Sequence, residues 1–216
     1  MRLLYQFPQW FHRLTPSLHW RGDSERKCVY LTFDDGPIAE ITPQILDILD
    51  EYGIEAPFFW VGENVFRHPE VAKEVVKRGH RIGNHTFNHI SGWKNTLRLY
   101  TNNIQLTEEI ITANLGHDWH SARIFRPPYG RMKISQILKI RKDFRIYLWD
   151  IVTHDYNPNY TPDQIVEIVK KLVRNGSIIV FHDSRKAAKN VLVALPLVIQ
   201  YLQSAGYEFL MLDSNE

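Results

Sequence analysis

Two adjacent carboxylates, Asp34 and Asp35, end an apolar run and could act as a base or bind a cation. The run over residues 29–33 is rich in aromatic and β-branched types, which predicts a buried strand. Successive strand side chains point to opposite faces, so both acids can face one site only if the strand ends there. Gly36 permits such a bend. Two neighbouring negative charges repel, so one pKa should rise unless a cation lies between them. Taken alone, the pair also fits a solvated turn.

Two histidines four residues apart, His85 and His89, follow a later predicted strand. On a helical turn they would share one face and could bind one metal ion. Thr86 follows the first histidine where a zincin has its Glu base, so a base and a third ligand must come from elsewhere. Asp34 and Asp35 can supply one of each. A His-His-Asp set with open positions suits catalytic Zn²⁺, and Co²⁺, Ni²⁺ or Mn²⁺ would also fit.

Three more side chains could complete an acid–base site. Arg126 places a permanent cation after a predicted strand. A guanidinium can hold a carboxylate at two points, which would keep Asp34 ionised and oriented. His182 ends an apolar strand and is a candidate proton donor, because histidine titrates near neutral pH. A neighbouring carboxylate such as Asp155 would orient His182 and raise its pKa. Each of these residues alone also fits a structural role.

These residues all lie where predicted strands end. Apolar runs and turn residues predict about seven strands, over residues 29–33, 57–61, 81–83, 122–125, 145–149, 177–181 and 207–212. Helices are predicted to start at the Thr42 and Thr161 caps and at residue 68, and over residues 97–115, 133–141 and 191–202. The alternation predicts a single α/β domain with a parallel sheet, either open or closed into a barrel. Such folds carry their chemistry in the loops after the strands.

The bulk composition is ordinary for a soluble globular protein. A chain of 216 residues, 44% apolar and 23% charged, suits one domain with a sizeable core. A formal net charge of +2 favours neither nucleic acid nor an anionic membrane as a partner. The single Cys28 excludes an internal disulfide. No signal peptide or membrane span is visible, so the location is unassigned, with the cytoplasm as the default.

Five ordered segments resemble the motifs of the polysaccharide deacetylase family. They are Thr32-Phe33-Asp34-Asp35-Gly36, His85-Thr86-Phe87-Asn88-His89, Arg126-Pro127-Pro128-Tyr129, Asp155-Tyr156 and Val180-Phe181-His182. The family includes chitin, chitooligosaccharide and peptidoglycan N-acetylglucosamine deacetylases, with some acetylxylan esterases. The resemblance covers residues 28–212, and its first three motifs match closely. It implies an incomplete, distorted (β/α) barrel of about seven parallel strands. The catalytic domain would be residues 28–216, and residues 1–27 would form an arm packed on it.

The resemblance also implies a role for each site residue. The implied roles are Asp34 as catalytic base, Asp35, His85 and His89 as ligands of a divalent metal such as zinc, Arg126 as the partner of the base, the Tyr129 backbone N–H as part of the oxyanion hole, and Asp155 as the residue that tunes the acid His182. The implied reaction is metal-dependent hydrolysis of an N-acetyl group on an amino-sugar oligomer or polymer, with release of acetate.

The last two motifs depart from the family pattern. The fourth usually reads Asp-x-x-Asp-Trp, but here Val152 stands at the first Asp position and Tyr156 at the Trp position. Val180 replaces the usual Leu of the fifth. Tyr156 and Val180 would then form the wall that receives the acetyl methyl. Two alternatives therefore stay open: a related C–N hydrolase of a non-sugar amide, and a non-catalytic carbohydrate-binding protein on the same scaffold.

Overall fold

The structure, a computed structural model, describes residues 15, 17–116 and 123–212. Most of the predicted arm, residues 1–14 and 16, lies outside the described residues, as does Ala122 of the predicted fourth strand. The described strands are β1 (Leu18–His19), β2 (Cys28–Asp34), β3 (Pro57–Trp60), β4 (Arg81–Asn84), β5 (Ile124–Phe125), β6 (Arg145–Tyr147), β7 (Ile151–Val152), β8 (Ser177–His182) and β9 (Glu208–Phe209).

Seven α-helices accompany these strands in the described part of the chain. They are α1 (Thr42–Glu51), α2 (Gly62–Arg67), α3 (Pro69–Lys77), α4 (Leu97–Leu115), α5 (Ile134–Ile140), α6 (Pro162–Leu172) and α7 (Ala188–Ser204). The described residues also form short 3₁₀ turns at Gly92–Lys94 and Pro128–Gly130. None of the described helices is both long and apolar enough to cross a membrane.

All nine strands belong to one sheet, and every pairing between them is parallel. Eight strands follow the order β1-β6-β5-β4-β3-β2-β8-β7, and β9 pairs with the amino end of β2. The strands at the two ends of this order do not pair with each other, so the curled sheet is an incomplete, distorted (β/α) barrel. This confirms the predicted fold class.

The register of the central strands places the functional loops at one level. Asp34 at the end of β2 lies opposite His182 at the end of β8. On the other side, Asn84 at the end of β4 lies opposite Phe125, the last residue of β5. His85 directly follows β4 and Arg126 directly follows β5, so both residues leave the sheet at the same edge. A buried core of large apolar side chains, including stacked Phe33 and Phe58, holds this register.

The predicted elements differ from the observed ones where the segments are short. Strands β1 and β7 were not predicted, because two residues show no periodicity, and neither was the six-residue helix α2. Helix α7 begins at Ala188 and runs through Pro196, so the predicted start at residue 191 was late. Thr161 caps α6 as predicted. The prediction of Thr42 as an N-cap was wrong, since that position is Ile41 and the Thr42 hydroxyl contacts Asp183 instead.

Candidate active site

The loops at the carboxyl ends of the strands surround a cleft of about 510 Å³. It is lined by Asp34, Asp35, His85, His89, Tyr129, Arg131, Trp149, Val152, His154, Tyr156, Val180, His182, Ser184 and Lys186. The two other predicted site residues, Arg126 and Asp155, are fully buried and contact lining residues from behind. The structure therefore brings all ten predicted site residues together. Sequence reasoning missed Arg131, Trp149, His154, Ser184 and Lys186, which follow the same strands but form no recognisable spacing.

The two acids separate at the end of β2 because the chain bends at Asp35. This residue has a φ of 87°, in the left-handed region that L-residues rarely adopt. The bend was predicted at Gly36, but the glycine is required for a different reason. A Cβ at Gly36 would lie 1.8 Å from a carboxylate oxygen of Asp183. Asp34 is buried at 3% exposure and Asp35 stays partly open to the cleft, so the neighbouring acids occupy different environments.

Arg126 binds Asp34 through one nitrogen rather than the two-point contact that the sequence suggested. Its Nη1 donates to Asp34 Oδ1 at 2.6 Å and to Thr32 Oγ1 at 2.8 Å, while Nη2 donates to the Leu148 carbonyl. The guanidinium also lies over the Phe59 ring at 4.1 Å. Burial raises the pKa of Asp34 above its ordinary value, and Arg126 opposes this only in part. The contact was predicted correctly, but it does not by itself hold the pKa of Asp34 down.

Asp35, His85 and His89 form a group whose ligand atoms lie within 4.8 Å of one another. Asp35 Oδ1 is 3.3 Å from His89 Nε2 and 3.8 Å from His85 Nε2. The two histidines do not share a helical turn as predicted; they lie in the loop after β4, which bends through left-handed residues at Thr86 and His89. Asp35 Oδ1 is buried and accepts no hydrogen bond from the described residues. An uncompensated buried carboxylate oxygen beside two imidazole nitrogens fits a divalent cation.

The other nitrogen of each imidazole is already engaged. His85 Nδ1 lies 2.7 Å from the Arg126 carbonyl, to which it can only donate, so Nε2 is left as an acceptor. His89 Nδ1 lies 3.1 Å from the Tyr129 hydroxyl. Burial lowers the pKa of both imidazoles below the usual value, so both are neutral near pH 7. Neutral imidazoles oriented by an outer hydrogen bond are the usual form of metal-binding histidine.

His182 and Asp155 form a tightly coupled pair on the other side of the cleft. His182 Nδ1 lies 2.7 Å from Asp155 Oδ1, and the His182 backbone N–H donates to Oδ2 of the same carboxylate at 2.8 Å. Burial lowers the pKa of His182, but the Asp155 charge and hydrogen bond outweigh it and raise that pKa to about 9. His182 is therefore protonated near neutral pH and can donate a proton from Nε2.

Aromatic and apolar residues form the wall between these two groups. The Tyr156 ring packs edge-on against His182 with centroids 4.8 Å apart, and its hydroxyl lies 3.0 Å from His154 Nδ1. Val180 and Val152 line the same cleft. Tyr129 is 56% exposed at the rim, and its backbone has a φ of 61°. The cleft thus joins a candidate cation site, a buried base and a protonated histidine around an apolar wall.

Comparison with known sequences agrees with this geometry. The sequence model of the polysaccharide deacetylase family matches residues 21–147, more than half of the chain. A peptidoglycan-N-acetylglucosamine deacetylase of Bacillus cereus is 35% identical over 195 residues, which cover 89% of this chain and 70% of the relative. The match to the family model contains the first three motifs. Asp155 and His182 lie beyond it, in the part where the chain departs from the family pattern.

Solved structures show the same fold. The crystal structure of the Bc1960 peptidoglycan N-acetylglucosamine deacetylase superposes with a TM-score of 0.87 at 31% identity, covering 95% of both chains. A CE4 family pseudoenzyme from Bacillus anthracis, BA3943, superposes with a TM-score of 0.81 at 26% identity, covering 91% of this chain and 68% of that one. The family model and the B. cereus relative place this (β/α)-barrel protein among the hydrolases that act on non-peptide carbon–nitrogen bonds. The chain belongs to the polysaccharide deacetylase family.

Proposed function

We propose that this protein is a metal-dependent deacetylase that removes N-acetyl groups from an amino-sugar oligomer or polymer and releases acetate. The observation that supports this most is the meeting of three groups in one cleft. They are the Asp35-His85-His89 cluster, the buried Asp34–Arg126 pair and the protonated His182. Binding of a sugar alone requires no base, acid and cation site together, so this set favours catalysis. The B. cereus relative carries a deacetylase name that agrees with the proposal.

The chain's own residues supply the proton transfers. A divalent cation held by Asp35, His85 and His89 would polarise the acetyl carbonyl and increase the acidity of a nearby water. Asp34 is the base that removes the proton from the attacking water, and its raised pKa makes it a stronger base than an ordinary carboxylate.

The Tyr129 backbone N–H donates to the oxyanion of the tetrahedral intermediate. His182 Nε2 then gives its proton to the departing amine nitrogen, while Asp155 stabilises the imidazolium. The Tyr156 and Val180 side chains receive the acetyl methyl.

Loss of the bound cation is expected to abolish acetate release reversibly. Treatment of the full chain with a chelator should remove one equivalent of metal, and addition of Zn²⁺ or Co²⁺ should restore activity. His89→Ala removes a metal ligand and is expected to weaken metal binding by at least about 100-fold. Loss of a residue that only hydrogen-bonds to a metal ligand already lowers metal affinity by about 10–100-fold. Metal stoichiometry and acetate release measure these effects. An equally active chelated protein would contradict the proposed metal dependence.

The pH profile is expected to depend on Asp155. Because His182 must be protonated to act as the acid, kcat/KM should fall as pH rises through its pKa of about 9. Asp155→Asn removes the charge that raises this pKa, so the alkaline limb should move to lower pH while the acidic limb stays in place. Asp163→Asn, which alters a carboxylate at the start of α6 and outside the cleft, is the control. An alkaline limb that does not move in Asp155→Asn would exclude His182 as the acid.

The proposed activity is tested by acetate release from chitooligosaccharides, peptidoglycan and acetylxylan, each with added Zn²⁺ or Co²⁺. Release from an N-acetylated amino sugar supports the proposal. A panel of simple acyl amides is tested in parallel. If the protein cleaves these amides and none of the sugars, it is a hydrolase of non-sugar amides. Sugar binding without metal and without acetate release would instead identify a non-catalytic binding protein.

A further inference from the structure

Asp183 follows His182 directly and contacts both sides of the turn that carries Asp34 and Asp35. Its backbone N–H donates to the Asp34 carbonyl at 3.0 Å, and its side-chain Oδ1 accepts from the Gly36 N–H at 2.7 Å. Both hydrogen bonds come from one residue, so Asp35 is held between two contacts to Asp183. The Asp183 side chain is fully buried and does not line the cleft.

The second carboxylate oxygen of Asp183 is also engaged. The Thr42 hydroxyl donates to Asp183 Oδ2 at 2.8 Å and accepts from the Ile38 N–H at 2.8 Å. Thr42 is fully buried at the start of α1, so Asp183 also holds the segment between the turn and this helix. The absence of a side chain at Gly36 makes room for the close approach of Asp183 described above.

We propose that Asp183 is a positioning residue that sets the location of the Asp35 carboxylate relative to His85 and His89, and thereby the affinity for the metal ion. The left-handed conformation of Asp35 persists only where surrounding contacts determine it. Because Asp35 Oδ1 accepts no hydrogen bond from the described residues, its position depends on the backbone of the turn. Asp183 holds this backbone on both sides of Asp35, while the Phe59 carbonyl and the Asn64 side chain bind the Asp35 N–H and carbonyl themselves. The inference rests on the proposed function only for the presence of an ion at this cluster.

Titration of the metal-free full chain with Co²⁺ or Zn²⁺ alone tests the effect on affinity. Asp183→Ala is expected to weaken binding by about 10–100-fold, the usual effect of losing an outer partner of a metal ligand. Thr42→Val should weaken it in the same direction by less. Asp183→Asn keeps an oxygen for the Gly36 N–H and should bind more tightly than Asp183→Ala. Wild-type affinity in both Asp183→Ala and Thr42→Val would overturn the proposal.

The matched control lies at the opposite end of the same strand. Ser177 begins β8, and its hydroxyl donates to the fully buried Asp150 carboxylate at 2.7 Å. Ser177→Ala therefore also deletes a hydroxyl donor to a buried carboxylate. It is expected to lower the melting temperature without changing the metal affinity. A Ser177→Ala variant that loses as much metal affinity as Thr42→Val would show a general effect of stability and overturn the proposal.

Amide hydrogen exchange tests the hydrogen bond between the Gly36 N–H and Asp183 in the absence of metal. The Gly36 N–H should exchange slowly in the metal-free wild type and in Ser177→Ala, and rapidly in Asp183→Ala. Rapid exchange of Gly36 in the wild type would overturn the proposal. Slow exchange and the expected order of affinities, in a protein that releases no acetate, would support the role of Asp183 and contradict the proposed function instead.

Discussion

Replacement of Asp34 by Asn is expected to lower kcat for acetate release by about 10²–10⁴-fold, the usual contribution of a positioned general base. Asparagine has nearly the same shape, and its Oδ1 can still accept from Arg126 Nη1, which lies 2.6 Å from the native oxygen. It cannot accept the proton of the attacking water. Asp35, His85 and His89 are untouched, so metal stoichiometry should remain at the wild-type value.

The comparison needs a variant with the same chemical change elsewhere. Asp163→Asn converts a carboxylate at the start of α6, outside the cleft, and should leave kcat at the wild-type value. Full activity in Asp34→Asn would show that the base is assigned wrongly. A loss of activity together with a loss of metal would place Asp34 in ion binding rather than in proton transfer.

Among the single substitutions described above, replacement of Arg126 by Met is expected to lower the free energy of unfolding the most. The guanidinium is fully buried and compensates the buried Asp34 carboxylate. Removal of one partner of a buried ion pair typically costs 3–5 kcal/mol, because the other charge is left uncompensated. For a chain of this size, about 2–4 °C of melting temperature is lost per kcal/mol. Thermal and urea unfolding of the metal-free variant measure the effect.

The pH dependence of this variant follows from Asp34. In the folded protein the pKa of Asp34 already lies above its ordinary value, and loss of Arg126 should raise it further. A group with a raised folded-state pKa stabilises the fold below its unfolded-state pKa, and this stabilisation is lost as pH rises through the folded-state value. Arg126→Met should therefore be closest to the wild type in stability at acidic pH and furthest from it at neutral and alkaline pH.

A double variant separates the ion pair from simple packing. Asp34→Asn combined with Arg126→Met removes both charges, so it should be more stable at neutral pH than Arg126→Met alone. The cost of losing the contacts to Thr32 and the Leu148 carbonyl remains in both. If the two changes destabilise additively, the charge on Asp34 is not what Arg126 compensates.

The residue types of the site were predictable because strand ends are visible in sequence. The apolar runs locate β2, β4, β5 and β8, and parallel pairing brings their carboxyl ends to one edge. Asp34 and His182 therefore meet in register. Beside them Gly36 contacts Asp183, although these two residues are 147 positions apart in the chain. Order and chemistry along the chain were enough to bring the ten predicted residues to one cleft, but not to find the other residues that line it.

The directions of the side chains could not be read from sequence. Arg126 makes a one-point contact because its second nitrogen is taken by the Leu148 carbonyl, a tertiary contact with no local signal. His85 and His89 converge through a loop rather than a helix, since Thr86 and His89 adopt left-handed backbone. Thr42 has the type and neighbours of a helix cap, but the buried Asp183 carboxylate competes for its hydroxyl. For Arg126 and Thr42, a partner distant in the chain overrides the local preference.

In the described part of the chain, the non-glycine residues with left-handed backbone are Asp35, Thr86, His89, Tyr129 and His154, and all five lie in loops of the cleft. Such conformations cost on the order of 1 kcal/mol each, and glycine would adopt them freely. Protein engineering for thermostability that ranks substitutions by folding energy would therefore favour glycine at these five positions. Two of them are the candidate ligands Asp35 and His89, so a design for industrial durability should hold these loops fixed and seek its gains on the helices.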